Sequence, residues 1–204
     1  MSLLLAISAL LALGYLWLTG RPVSALRSLA KTGATLALCL FAAFSGAPLL
    51  ALALGFCALG DAALSRDGDR AFLIGMIAFA LGHVALTVLM IAVPSEISPL
   101  RACAMLLVVA LALSSRFWLI PYAGALQVPV RLYVLFIAAM GLAAFSLPLA
   151  LWPAILGAVS FIASDTILAI EKFRLPEPTR LTGASIWITY YGALLGFVFA
   201  FTAP

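Results

Sequence analysis

Charged residues are all but absent from eight long stretches of this chain, and that absence constrains the fold more than any motif does. A helix crosses the hydrocarbon of a bilayer with about 20 predominantly apolar residues, within a range of about 17–25. Runs of this kind fall at roughly 2–19, 28–44, 47–64, 71–93, 100–113, 129–146, 149–170 and 183–203. Of the 204 residues, 66% are hydrophobic and only 9% are charged, against about 25% charged in soluble domains. There is too little charge to coat a water-facing surface. The expected fold class is therefore all-α: a polytopic membrane bundle of about eight transmembrane helices, forming one domain over residues 1–204. The fifth run is the shortest, and its helix is open to extension past Ser114. The first run has no basic segment before it and no convincing small-residue cleavage site, so it reads as a retained span rather than a signal peptide.

The basic residues set the orientation. Arg21, Arg27 and Lys31 follow the first run, Arg66 and Arg70 the third, Arg116 and Arg131 flank the fifth connection, and Lys172, Arg174 and Arg180 follow the seventh. Ten of the eleven positive charges thus belong to odd-numbered connections, with Arg101 the exception. By the positive-inside rule those connections are cytoplasmic and both termini lie outside the cytoplasm. The lack of long extramembrane segments suits a bacterial inner membrane. The links "SGAP" and "SLP" are uncharged and short, as expected of antiparallel hairpins.

The third and seventh runs end alike, in "LGDAALSRD" and "ASDTILAIEK", with Asp61 and Asp165 104 residues apart. Lys31 and Arg131 recur at a similar interval. Read as a repeat, the chain consists of two four-helix halves, parallel because four spans return the chain to its starting side. Chance coincidence of two aspartates is the competing reading.

Ionisable groups within spans are costly and usually face the bundle interior with a task. Counting from the ends of the apolar runs places Asp61 and Asp165 roughly 4–8 Å below the cytoplasmic side and His83 about 18 Å deep. Lys31, Tyr133, Tyr190 and Tyr191 lie toward the same side. Together these residues are expected to line one shared cavity. The plainer alternatives are ion pairs of Asp61 with Lys31 and of Asp165 with Arg131, a histidine bonded to backbone, and tyrosines anchored at the interface. Glu171, Lys172 and Arg174 read as a helix end in water.

Several chemistries lack support. One histidine and three isolated cysteines, Cys39, Cys57 and Cys103, offer no zinc-ligand spacing. No GxSxG, P-loop or dinucleotide glycine pattern occurs. No basic patch with interleaved aromatics points to nucleic acid. No metal and no cofactor are expected. Acid–base chemistry by two aspartates remains, as does proton- or ion-coupled transport by the same groups.

"GDAALSRDGDRAFLIGMIAFALGH" (60–83), "GAVSFIASDTILAIEKF" (157–173), "RLYVLFIAAM" (131–140) and "TYYGALLGF" (189–197) resemble the motifs of the YhhN-like lysoplasmalogenase family, with eight spans in register. The chain departs from that family's pattern where Lys31 precedes Thr32 instead of a proline, and where Leu194 stands near the position of a glutamine. The resemblance implies hydrolysis of the vinyl ether bond of a lysoplasmalogen, giving a fatty aldehyde and glycerophosphoethanolamine or glycerophosphocholine. The partner implied is a lysophospholipid within the membrane. A vinyl ether hydrolyses when its β-carbon is protonated and water captures the resulting oxocarbenium ion. Two carboxyls in an apolar site suit that division of labour, as in glycoside hydrolysis. Asp61 and Asp165 are the expected catalytic pair. Lys31 would bind the phosphate or tune a carboxyl, and His83, Tyr133, Tyr190 and Tyr191 would support them. The alternatives are a proton-coupled transporter of lipid or small solutes using Asp61 and Asp165, and a non-catalytic membrane scaffold.

Overall fold

The computed structural model describes residues 2–95 and 97–202, which form eight α-helices without a strand among them. In chain order these are α1 Ser2–Leu18, α2 Ala25–Phe44, α3 Pro48–Leu64, α4 Asp69–Ile91, α5 Pro99–Trp118, α6 Gln127–Phe145, α7 Trp152–Arg174 and α8 Arg180–Thr202. Six are long and apolar enough to cross a membrane, whereas α1 and α3 have 17 residues each, or about 25 Å of helix. The fifth helix continues past the expected 113 to Trp118, carrying Arg116 in its last turn, where a cation complements the carbonyl end of the dipole. The seventh likewise runs on through Glu171, Lys172 and Arg174.

Local sequence explains the ends. Ser24 and Ser98 accept hydrogen bonds from the backbone N–H of Arg27 and Arg101, capping α2 and α5. Prolines occupy the first turns of α3, α5 and α7, where no intrahelical donor is lost. Between α2 and α3, Gly46 adopts φ +76°, closing the hairpin in a conformation that side chains with a Cβ rarely take.

Neighbouring helices pack in sequence, with α7 on α8, α3 on α4 and α2 on α3 the closest pairs. In lipid such contacts depend on van der Waals fit, and small residues let backbones approach. Gly157 of α7 and Gly196 of α8 do this: a Cβ on Gly196 would lie 2.5 Å from the Pro153 carbonyl oxygen. The "SLP" link does not produce an equally tight pair. Helix α6 leans mainly on α4, because a cavity separates much of it from α7. Helix α1 belongs to the bundle: Trp187 Nε1 donates to the Ala12 carbonyl at 3.0 Å and Ser8 Oγ to the Ala34 carbonyl at 2.7 Å.

The odd-numbered connections meet on one face. Lys172 pairs with Asp69 at 3.1 Å, Arg174 donates to the Trp118 carbonyl, and Arg180 lies against Gly20. The ten basic residues assigned to these connections are thereby collected at one end of the bundle.

Overpacking a close helix contact costs roughly 1–3 kcal/mol. Gly196→Leu should therefore lower the melting temperature in detergent by several degrees. Gly192→Leu, whose Cβ would meet nothing within 4 Å, should leave it nearly unchanged. Equal effects would contradict the α7–α8 contact.

Candidate functional site

The sequence-selected polar residues form two clusters rather than one. In the first, Asp61 of α3 is fully buried. Its Oδ1 lies 3.2 Å from Lys31 Nζ of α2. Its Oδ2 accepts from Thr35 Oγ1 of α2 at 2.6 Å and from Tyr190 Oη of α8 at 2.8 Å. In the second, Asp165 of α7 accepts from Tyr133 Oη of α6, and its Oδ2 lies 3.8 Å from His83 Nε2 of α4.

The clusters share a plan. Each aspartate is on the third helix of its half. Each is held by the second helix of that half and faced by the fourth helix of the other half. Lys31 and Thr35 correspond to Tyr133, and Tyr190 corresponds to His83. The contacts of α2 with α8 and of α4 with α6 have the same relation. The halves differ in charge: Asp61 has a cation beside it, whereas Asp165 has a phenol and an imidazole.

An aromatic wall stands between the clusters. Phe161, one turn before Asp165, meets His83 edge to face at a centroid distance of 4.6 Å and Tyr190 at 5.4 Å. Phe79 of α4 meets Tyr190 at 5.6 Å. Gly60 makes room for it, since a Cβ there would come within 2.6 Å of the Phe79 ring. Cys57, one turn before Asp61, is buried as well. Among the described residues no hydrogen bond or ion pair joins Asp61 to Asp165. The single shared cavity expected from the sequence is thus replaced by two sites back to back.

Of the two aspartates, Asp165 borders a cavity, whereas Asp61 is fully buried. A cavity that opens at one side is bounded chiefly by α4, α5, α6 and α7. Asp165 is the one acidic residue in a lining otherwise dominated by groups such as Met76, Val108, Ile137, Ile162 and Phe173. Its other polar residues have their own bonds: Thr166 and Ser115 hydroxyls donate to carbonyls of their own helices, and Tyr133 to Asp165. A lining of this kind accommodates a hydrocarbon chain and presents one carboxyl to it.

Other expectations need correction. Arg131 is exposed and is not the partner of Asp165; Tyr133, two residues on, takes that place. Tyr191 lies outside both clusters, bonded to Ser8 Oγ at 2.8 Å and stacked on Trp187, so it ties α8 to α1. Counting along apolar runs put His83 much deeper than Asp165, yet they are neighbours. Helix α7 continues nine residues past Asp165, to Arg174, so the carboxyl lies about 14 Å of helix from that end. Thr35, Phe79 and Phe161 escaped sequence reading. Only Thr35 left a signal, being one helical turn beyond Lys31 on the same face.

Removing one member of a buried ion pair strands the other and costs about 3–5 kcal/mol. Lys31→Met and Asp61→Asn should each lower thermal stability clearly, and the double variant should lose markedly less than their sum. Additive losses in a double-mutant cycle would show that the pair is not coupled.

Residues 26–201 match the family model described as the YhhN family. No curated protein and no solved structure matches the chain.

Proposed function

The chain belongs to the YhhN family, which includes lysoplasmalogenases, and on that premise we propose that it is a membrane-embedded hydrolase of the lysoplasmalogen vinyl ether bond. The observation that carries this reading is Asp165, a lone carboxyl in a lipid-compatible cavity within the bundle. Vinyl ether cleavage needs a proton donor beside an alkyl chain and needs no strong nucleophile. An isolated carboxyl in an apolar surrounding is suited to hold a proton, since desolvation penalises the charged form.

The chemistry follows from the bond. The proton of the Asp165 carboxyl passes to the β-carbon of the C=C–O unit, and the ether oxygen stabilises the resulting oxocarbenium ion. Water adds to the α-carbon and returns a proton to the Asp165 carboxylate. The hemiacetal then collapses: the carbon–oxygen bond to glycerol breaks, and the hydroxyl proton ends on the glycerol oxygen. The products are a fatty aldehyde and glycerophosphoethanolamine or glycerophosphocholine. The carboxyl serves as acid and then as base, the role change seen in retaining glycosidases. Tyr133, donating to Asp165, favours the carboxylate left after proton transfer.

Asp61 has a different part. It does not line the cavity, and Lys31, Thr35 and Tyr190 occupy its oxygens. It acts as a positioning residue, fixing Tyr190 and through it the ring of Phe161 beside Asp165. Lys31 is its charge partner rather than a phosphate ligand. The face that gathers the basic residues is cytoplasmic, which puts both termini outside the cytoplasm. A bacterial inner membrane suits this arrangement.

Purified protein incubated with lysoplasmalogen should release aldehyde in an aldehyde-coupled assay. Asp165→Asn should reduce turnover by at least about a hundredfold, within the usual range for losing a general acid. Tyr133→Phe should reduce it about tenfold. Asp165→Asn turning over at the wild-type rate would remove that residue from the chemistry. Lipid uptake into proteoliposomes with no aldehyde formed would favour transport instead.

A further inference from the structure

His83 is fully buried, and neither ring nitrogen has a hydrogen-bond partner. A buried polar atom without a partner carries an uncompensated desolvation cost and calls for an explanation. Packing alone does not supply one. The ring meets Phe161 at 4.6 Å and Tyr133 at 5.4 Å, both edge to face, contacts that an apolar side chain could make without the cost. The ring is also aimed: Nε2 is the atom that faces Asp165 Oδ2, at 3.8 Å. That is beyond a hydrogen bond, which for N–H···O spans about 2.7–3.2 Å. It is about one ångström short of making one.

The other half of the bundle contains the completed contact. Tyr190 of α8 occupies the position relative to Asp61 that His83 of α4 occupies relative to Asp165. Tyr190 donates to its aspartate at 2.8 Å. Asp61 has Lys31 beside it and accepts two donors on one oxygen, Thr35 and Tyr190. Asp165 has one donor, Tyr133, and a second poised just out of range.

Resting on the hydrolase reading for its catalytic meaning, we infer that His83 is a positioning residue whose Nε2–H closes onto Asp165 when that carboxyl gives up its proton. The carboxylate formed as the vinyl ether is protonated is then held by two donors, Tyr133 Oη and His83 Nε2, as Asp61 is held by Thr35 and Tyr190. The contact forms with the charge and strengthens along the reaction, so it lowers the barrier to proton transfer without tightening substrate binding. The proton passes from Asp165 to carbon, and His83 keeps its own. This assigns the Nε2–H tautomer to His83, which leaves Nδ1 with the lone pair.

The test compares His83→Phe, which keeps a ring and loses the donor, with His83→Gln, which keeps an N–H donor. His83→Phe should lower kcat by about a hundredfold, the usual effect of losing one preorganised donor, with KM within about twofold of wild type. Its melting temperature should equal or exceed that of wild type, because an unpartnered polar group has been removed. His83→Gln should recover at least about tenfold in kcat over the phenylalanine variant. A phenylalanine variant that melts lower or fails to fold would assign His83 to the architecture and overturn the inference. So would a glutamine variant no faster than phenylalanine, or a phenylalanine variant with wild-type kcat. The infrared bands of Asp165, assigned by their loss in Asp165→Asn, supply a readout independent of turnover. In protein titrated to a pH at which Asp165 is ionised, its carboxylate band should shift in His83→Phe and return in His83→Gln, and a band unmoved by either substitution would refute the contact. Wild-type protein that releases no aldehyde would refute the hydrolase reading, while the melting and infrared comparisons would still decide the role of His83.

Discussion

A carboxyl group inside a bilayer has no water to turn to, so its partners must come from the protein. This structure satisfies that requirement twice and differently. Asp61 receives a cation, a threonine hydroxyl and a phenol, and is closed off completely. Asp165 receives a phenol and a histidine held slightly out of reach, and one side of it borders a cavity. The first arrangement gives both carboxyl oxygens a partner within the protein. The second suits a group that changes its protonation state, because its surroundings do not neutralise a standing charge. On the hydrolase reading, that contrast is the reason the chemistry is assigned to Asp165 and not to Asp61.

The architecture follows from the same requirement. Each aspartate draws on helices from both halves of the chain, so neither half completes its polar site alone. Tyr190 reaches across to α3, and His83 lies against α7 from α4. The rings of Phe79 and Phe161 fill the space between the sites and keep the two carboxyls from interacting directly. Helix α5 has the opposite character: it rests chiefly on α6, and Ser115 is its only buried residue. Standing off from the rest of the bundle, it forms the cavity's outer wall.

Particular residues were legible before the structure for physical reasons. Asp61 and Lys31 stood out because charges within apolar runs are expensive, and opposite charges at one depth are natural partners. Asp165, Tyr133, Tyr190 and His83 were singled out, but not their grouping. Depth counted along an apolar run mistakes the first charge for the end of the helix. Helix α7 continues through its charged residues because its backbone bonds are internal and need no lipid. Tyr191 shows the converse error, since adjacent residues on a helix point about 100° apart. One tyrosine of the pair reaches Asp61 and the other turns to Ser8 of α1. Thr35 and Phe161 could not be distinguished from other threonines and phenylalanines in apolar helices.

The sequence by itself determined the number of helices, their apolar character, the side on which the basic residues gather and the two aspartates set into the spans. These properties reside in single residues and their spacing along one chain, and hydrocarbon tests them one helix at a time. Only the tertiary structure decided that the aspartates occupy separate sites, that one is neutralised by a lysine and that the other borders a cavity. Those facts depend on the rotation of each helix about its axis and on which helices touch. Packing among all eight sets both, through close approaches such as Gly157 to Gly196 and Gly60 to Phe79.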